Sequence, residues 1–394
     1  MKNKWQYRKI GDVCVVERGS SPRPIDQFIT EDGGGINWIK IGDTTESMYI
    51  TETAQKIKPE GMKKSRYVEP GDFLLSNSMS FGRPYILKID GCIHDGWLVL
   101  KDKDEIFDKR FLYYYLSSKA TYQKFKHMAV GGVVNNLNSE MVRKIDVPVP
   151  SKDEQMDTAD LLDKICNIIS LRKRELNCLD DLIRARFVEL FGDMLLNTML
   201  WNEQPLEVMA DIVSGITKGR KLKEQYTTEV PYMAVSNVKD GYIDWTTIKT
   251  IEATEQEINQ YRLLPDDVLM TEGGDPDKLG RGAIIKEPLE NCIHQNHIFR
   301  VRLNETVILP EFFAEYLRHQ KSKRYFLGCA KQTTGIASIN MRQLKALPVL
   351  LPPLELQNQF ADFVKVVDKS KAAVQKALDQ TQLLFDSLMQ EYFG

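Results

Sequence analysis

Between residues 153 and 191 the chain carries neither proline nor glycine, and its apolar side chains recur with helical spacing. Leu162, Ile165, Ile169, Leu176, Leu179, Ile183 and Leu190 follow the alternating three- and four-residue steps of a coiled-coil seam, interrupted at Arg172 and Arg186. Ser151 and Glu154 stand at capping-box spacing just before it, which marks a helix start. A second stretch, 354–394, repeats the seam with Val364, Val367, Lys371, Leu378, Thr381, Phe385 and Tyr392. Val374 and Leu388 fill the places that Arg172 and Arg186 hold in the first. At 1.5 Å per residue each helix would be about 58 Å long. Two helices with narrow apolar stripes most simply bury them on each other, here as an antiparallel pair.

Ahead of each long helix the pattern changes to short apolar runs punctuated by glycine and proline. Residues 36–41, 72–76, 84–89 and 92–100 read as strands. A helix is expected over 108–128, with Phe111, Leu112, Tyr115, Leu116, Tyr122 and Phe125 on its apolar side, and its counterpart from 310 to about 328. Polar, glycine-bearing loops follow (Gly131 and Gly132; Thr333, Thr334 and Gly335). A last strand then ends at VPVP, 147–150, or LPP, 351–353.

Those parallels extend to the letters. INWIKIGD at 36–43 resembles VPYMAVSN at 230–237, and EPGDFLLS at 69–76 answers LPDDVLMT at 264–271. FGR at 81–83 matches LGR at 279–281, CIH at 92–94 recurs at 292–294, and LFG at 190–192 becomes YFG at 392–394. Similar segments in one order indicate an internal duplication. The expected organisation is a head, 1–150, a helix, 151–192, a second head, 193–353, and a second helix, 354–394. The fold class is α+β.

Composition adds limits rather than a function. With 394 residues, 42% hydrophobic and 27% charged, the chain is long enough for two or three cores and unlike a disordered protein. Lys plus Arg number 53 against 55 Asp plus Glu, a net charge of −2, so only local basic patches are available to an anionic partner. No apolar run reaches about 18 residues, and the opening MKNKWQYRKI lacks the apolar core of a signal peptide. Six cysteines without CxxC spacing suit reduced thiols, and a cytoplasmic location is expected.

Catalytic signatures are missing from the sequence. GITKG at 215–219 lacks the spacing of a phosphate-binding loop, and neither GxSxG nor HExxH occurs. The Asn/Asp-Pro-Pro-aromatic motif of an amino-methyltransferase is absent too, since Pro352 and Pro353 follow Leu351. Cys292, His294 and His297 lack an evident fourth ligand, and Asp266 with Asp267 sits at a turn-like Pro-Asp-Asp. No catalytic residue, metal or cofactor is expected.

The two strand-to-helix junctions are the most distinctive segments. IDVPVPSKDEQ at 145–155 and LPVLLPPLELQ at 347–357 each pass through prolines into a helix opened by Gln155 or Gln357. With the Phe-Gly helix ends and the PGDFLLS run at 70–76, they make the full chain resemble the specificity subunits of type I restriction–modification systems. One departure is SKDE at 151–154, where the second junction has PLEL. The resemblance implies two target-recognition domains, each reading half of a bipartite, asymmetric site in double-stranded DNA. It implies paired helices that fix the gap and receive two adenine-N6 methyltransferase (modification) subunits, which translocating restriction subunits then join. A helix of about 58 Å bounds the separation of the heads near 17 base pairs.

Reading DNA requires cations for phosphates and amide or guanidinium groups for base edges. The first head offers Arg18, Ser20, Ser21 and Arg23 in a loop after its first strand. It also offers the basic stretch Lys56, Lys58, Lys63, Lys64 and Arg66, then Asn77, Ser78, Ser80 and Arg83 after a strand, and Asn135 and Asn136 beyond a Gly-Gly turn. The second head places Thr217, Lys218, Arg220, Lys221 and Lys223 in the equivalent first loop, and adds Asn237, Arg281, Lys331, Gln332, Thr333 and Thr334. Equivalent loops thus carry different polar groups. Arg83 and Arg281 recur, either as phosphate contacts or as bridges to the nearby Asp72 and Asp267. On the long helix Ile168, Leu171, Phe187 and Val188 are apolar but lie off the seam, which points to a further protein partner. The competing readings are a two-headed scaffold for proteins and, least favoured, half of an enzyme site completed by association.

Overall fold

The computed structural model describes residues 5–77, 82–102, 104–129, 136–221, 226–275, 279–333 and 336–394. The chain divides into two compact units, residues 1–173 with 376–394 and residues 174–375. Each unit therefore takes part of both long helices.

In the first unit the apolar run 73–76 is buried on both faces, because it lies inside a sheet ordered Val15–Arg18, Trp97–Lys101, Phe73–Ser76, Pro84–Leu87, Tyr49–Ile50. A second sheet runs Ile29–Thr30, Lys56–Ile57, Ile36–Ile39, Gly91–Ile93, Arg66–Val68. The expected strand over 92–100 is two strands, Gly91–Ile93 and Trp97–Lys101, one in each sheet, joined by a turn at 94–96. Asp95-Gly96 is a turn signal inside an apolar run, and here the turn wins. Helices Lys109–Ser117 and Lys119–Ala129 close the core with Phe111, Leu112, Tyr115, Leu116 and Phe125, all buried. Tyr122, expected among them, is 41% exposed, and Tyr114 is buried instead.

The second unit repeats this plan. One sheet is ordered Ala210–Ser214, Ile298–Leu303, Val268–Thr271, Gly282–Ile284, and another Lys249–Ala253, Thr228–Met233, Ile293–His294. Helices Pro310–Arg318 and Gln320–Cys329 pack Phe312, Phe313, Tyr316 and Phe326 into its core.

Hydrogen bonds fix the correspondence between the units more securely than letters do. Asp43 Oδ2 accepts from Lys40 N at 2.7 Å after strand Ile36–Ile39, as Asn237 Oδ1 accepts from Ala234 N at 2.9 Å after Thr228–Met233. Ser76 N donates to Arg83 O as Thr271 N donates to Arg281 O. Trp97 pairs with Ser76 where Ile298 pairs with Thr271, and Trp38 pairs with Cys92 where Tyr232 pairs with Ile293. By that register Cys92 answers Ile293. The two Cys-Ile-His tripeptides are one residue out of step, and the counterpart of His94 is Gln295.

Both long helices begin as their sequences require. Ser151 N donates to Glu154 Oε2 (3.0 Å) and Glu154 N to Ser151 Oγ (3.3 Å), a reciprocal cap on helix Lys152–Phe191. Gln155 is buried, accepts from Asp108 N (2.7 Å) and donates to Ile106 O and Pro150 O (3.1 Å each). Gln357, in helix Leu354–Phe393, does the same with Leu309 N (2.9 Å), Val307 O (3.2 Å) and Pro352 O (2.9 Å). The glutamine common to the junctions is thus a three-way clasp between the proline turn, the segment before the first core helix, and the long helix. The SKDE variation leaves it intact.

Within the first unit, Arg172 donates to Ala377 O and Thr381 Oγ1, and the Trp5 ring stacks on Tyr392 at 6.2 Å. Within the second, Lys371 meets Asp180 at 2.7 Å, Phe187 meets Phe360 at 5.4 Å, and the Arg186 guanidinium lies over the Phe363 ring at 5.7 Å. Both arginine gaps in the seam are therefore filled by polar or cation–π contacts rather than left open.

Candidate nucleic-acid interface

In the first unit, loop 19–24 leaves strand Val15–Arg18 and presses on the turn 94–96. Only glycine permits this at position 19, where a Cβ would fall 2.1 Å from His94 O. Gly215 makes the equivalent approach in the second unit, where a Cβ would fall 2.7 Å from Gln295 O, the counterpart of His94 O, and 1.9 Å from His294 O. Around the first turn, Arg18 Nε donates to Asp95 O (3.1 Å), Ser21 Oγ to Asp95 Oδ1 (2.8 Å) and Asn77 Nδ2 to Asp95 O (2.8 Å). The exposed Arg23 guanidinium lies 3.8 Å from Asp95 Oδ2. Four of the residues nominated from sequence converge on Asp95, which was not nominated.

The basic stretch is tied to the same place. Ser20 Oγ donates to Lys64 O (3.2 Å), Ser65 Oγ to Ser20 O (2.7 Å), and Arg66 Nε to Arg18 O (3.4 Å). Lys64 Nζ sits 5.0 Å above the Phe28 ring, and Lys63 is exposed beside it. Lys56 and Lys58 instead donate to Gly33 O and Gln27 O. Asp95 itself is held below the usual carboxylate range, first by the Ser21 hydroxyl and then by its backbone N–H, His94 and Arg18, against the opposing effect of burial. It is an ionised acceptor among cations at neutral pH.

In the second unit Thr217, Lys218 and Lys221 are exposed on the equivalent loop, and Lys331 is exposed on strand Lys331–Thr333. Near them Glu272 Oε2 and His297 Nδ1 lie 2.7 Å apart at the 296–297 turn. Asn296 O accepts from Ser214 Oγ (2.6 Å) just as Asp95 O accepts from Arg18, so Asn296 answers Asp95. The sequence reading missed Asp95 because it ran a strand, 92–100, through the turn that carries it; Asn296 on the equivalent turn and Glu272, just after strand Val268–Thr271, were not singled out, and His297 was weighed only as a metal ligand.

Several nominated residues have structural duties. Asn237 is fully buried, and its Nδ2 donates to Asp244 O (2.9 Å) and Thr247 Oγ1 (3.2 Å), so it shapes a turn. Asn77 is likewise buried against the 94–96 turn. Arg220 forms a two-pronged pair with Glu257 (2.5 and 2.6 Å) and donates to Glu252 O. The carboxylate raises the arginine's pKa and is itself lowered by it, so this guanidinium is committed internally. Asn135, with Ser78, Ser80, Lys223 and Thr334, lies outside the described residues, as do the side chains of Gln332 and Thr333.

Arg83 and Arg281 do not bridge to the neighbouring aspartates. Asp72 meets Lys101 (3.5 Å) and Asp267 takes both prongs of Arg302 (2.8 Å each). Each recurring arginine instead lines a cleft at the corner between the two core helices. Arg83 shares a volume of about 460 Å³ with Tyr85, Ser117 and Lys119, and Arg281 one of about 270 Å³ with Arg318 and Lys323. Arg281 Nε is buried without a hydrogen-bond partner among the described residues.

On the long helix Ile168, Leu171 and Val188 are 41%, 51% and 49% exposed. Phe187 is not: it is buried among Phe191, Phe312 and Phe360, because the helix turns that face into the core of the second unit. No helix among the described residues is long and apolar enough to cross a membrane.

A family model described as the type I restriction modification DNA specificity domain matches residues 2–180 and again 200–381. The chain belongs to that family. As a type I specificity protein it carries two copies of the domain, which agrees with the duplication in its sequence and fold. The EcoKI specificity subunit of Escherichia coli K12 is 21% identical over 374 residues, 89% of this chain and 78% of its own. The putative MjaX specificity subunit of Methanocaldococcus jannaschii is 30% identical over 196 residues, 49% of this chain and 45% of its own. Among solved structures, a chain from a study of complex assembly and conformational transition of the type I R-M system aligns with a TM-score of 0.60 at 15% identity, covering 99% of this chain and 97% of that one. The type I S subunit from M. genitalium aligns at 0.55 and 16%, covering 100% and 98%. These likenesses concern the fold.

Proposed function

We propose that the chain is the sequence-reading, non-catalytic subunit of a type I restriction–modification complex. Each head, 1–150 and 193–353, would read one half of a bipartite, asymmetric target in double-stranded DNA. The observation that carries this is the rebuilding of one loop-and-turn arrangement in both units with different polar groups: Arg18, Ser21 and Asp95 in one, Ser214, Thr217 and Asn296 in the other. A shared scaffold with altered reading groups is what two unlike half-sites demand.

The helices 151–192 and 354–394 would run antiparallel and set the gap. Support comes from Arg172 meeting Thr381 within one unit while Asp180 meets Lys371 within the other. The exposed Ile168, Leu171 and Val188 offer apolar surface to two methyltransferase subunits, with restriction subunits joining afterwards. The chain needs no cofactor of its own in this role, and its compartment would be the cytoplasm.

The deciding experiment is genome-wide mapping of methylated adenine in cells that express this chain with its modification subunit. A bipartite motif that appears only with the chain, and one half of which changes when the first head is exchanged, is the expected result. A soluble complex with no new methylation would instead favour a two-headed scaffold for protein partners.

A further inference from the structure

The turn between the two sheets occupies the same position in both units but bears a different head group in each. In the first, Asp95 sits where strand Gly91–Ile93 hands over to Trp97–Lys101; in the second, Asn296 sits where Ile293–His294 hands over to Ile298–Leu303. Both are fixed through the main chain, by Arg18 Nε or Ser214 Oγ on the carbonyl. In each, the carbonyl just before this residue is approached by a glycine with no room for a side chain, Gly19 at His94 O (2.1 Å to a Cβ) and Gly215 at Gln295 O (2.7 Å). The backbone of this turn is therefore rigid, while its side chain is partly exposed.

Charge distinguishes the two sites further. Asp95 is a carboxylate with Arg18 and Arg23 at its turn, beside a loop that Ser20 ties to the main chain of the exposed, basic Lys63–Lys64 segment, and such cations suit phosphates. A carboxylate placed there is repelled by a phosphate backbone and gains only where it meets a hydrogen-bond donor. Base edges supply that donor as the exocyclic amine of cytosine or adenine. Ser21 occupies one edge of Oδ1 and leaves acceptor capacity on both oxygens, with the exposed Arg23 guanidinium 3.8 Å from Oδ2. The Asn296 carboxamide makes no hydrogen bond among the described residues and offers one donor and one acceptor together, the pair that matches the N7 and N6 edge of adenine.

We infer that this turn residue is the base-reading position of each head, Asp95 accepting from an exocyclic amine in one half-site and Asn296 bridging an adenine in the other. The inference rests on the DNA-reading function proposed above and adds which residue discriminates. Asp95 and Asn296 read, whereas Arg18, Arg23, Lys63 and Lys64 hold the duplex in place.

The test uses the full chain assembled with its modification subunits, with the methylated motif as the readout. Asp95→Asn keeps an oxygen for Ser21, removes the charge and replaces one acceptor oxygen with an amide donor. It should lower the preference for one base at a single position of one half-site by about tenfold or more, and leave the other half untouched. Asn296→Asp should alter one position of the other half alone. A structural or phosphate-binding role predicts a different result, equal weakening at all positions, and that outcome overturns the inference. So does an unchanged motif in both variants. If Asp95→Asn fails to assemble, Ser21→Ala, which loosens the carboxylate without deleting it, should blur the same position, and a sharp motif in that variant counts against the inference. A wild-type complex that methylates no bipartite motif removes the underlying function itself, an outcome distinct from all of these.

Discussion

Gln155 gives the sharpest test of how these heads are fastened to their helices. Replacing it with alanine removes three hydrogen bonds at once, to Asp108 N, Ile106 O and Pro150 O, in a side chain only 1% exposed. At about 0.5–1.5 kcal/mol net for each bond, the cost is about 2–4 kcal/mol. For a unit of this size that corresponds to a fall of roughly 4–16 °C in melting temperature. The loss should be local first. Asp108 caps helix Lys109–Ser117 through Arg110 N and Phe111 N, so freeing its own amide should speed hydrogen exchange at the start of that helix before the rest of the core responds. Gln155→Glu supplies a control with a sign. Its carboxylate still accepts from Asp108 N but faces two carbonyl oxygens that need donors, so it should destabilise at pH 7 and recover partly near pH 4, where the protonated acid donates again. Urea unfolding and hydrogen exchange of wild type, Gln155→Ala and Gln357→Ala measure this directly. A loss below about 0.5 kcal/mol in both alanine variants, with unchanged exchange at Asp108, would refute the clasp.

Other expectations follow from the same packing. Phe187→Ala should cost about 3–5 kcal/mol in urea unfolding, whereas Val188→Asp on the neighbouring exposed face should leave stability near wild type but weaken assembly with the methyltransferase subunit in a pull-down. Arg83→Gln and Arg281→Gln should weaken binding to every DNA sequence alike and each flatten the logarithmic salt dependence by about one unit; a change of motif instead would assign them to base reading. Burial lowers the His294 pKa to about 4 from the usual 6.5, so the unfolded chain takes up this proton first. Its contribution to stability is therefore complete above about pH 6.5 and declines by about 1.4 kcal/mol for each pH unit between there and 4. Thermal melts across that range should be flatter in His294→Asn than in wild type.

Much of the architecture was legible because it rests on long periodic signals. The duplication, the two proline-free helices and the Ser151–Glu154 cap follow from spacing alone. The 94–96 turn did not, because Asp95-Gly96 lies inside an apolar run whose two ends enter different sheets, and a strand pattern cannot show that change. The same slip concealed Asp95, and with it the equivalence that would have pointed to Asn296. Phe187 was assigned to a partner because a seam drawn from one helix does not know that a head, not only the opposite helix, covers its far end. Asn237 and Arg220 illustrate the opposite limit: an amide or guanidinium in a loop looks available until Asp244 or Glu257 is seen to hold it.

The first unit gathers its parts from two distant stretches of chain, 1–173 and 376–394, and the Trp5 ring rests against Tyr392 and Phe393. The inheritable module of the first head is thus not a contiguous block of gene, whereas that of the second, 174–375, is. A crossover that imports a foreign first head but keeps the resident last helix tears Trp5 and Phe111 away from the aromatic end they pack on. New specificities should therefore arise most freely when an exchange carries residues 376–394 along with the first head, or when both parents share that end. A chain rewired to run directly from its last helix into its first strand would carry that head as one uninterrupted cassette.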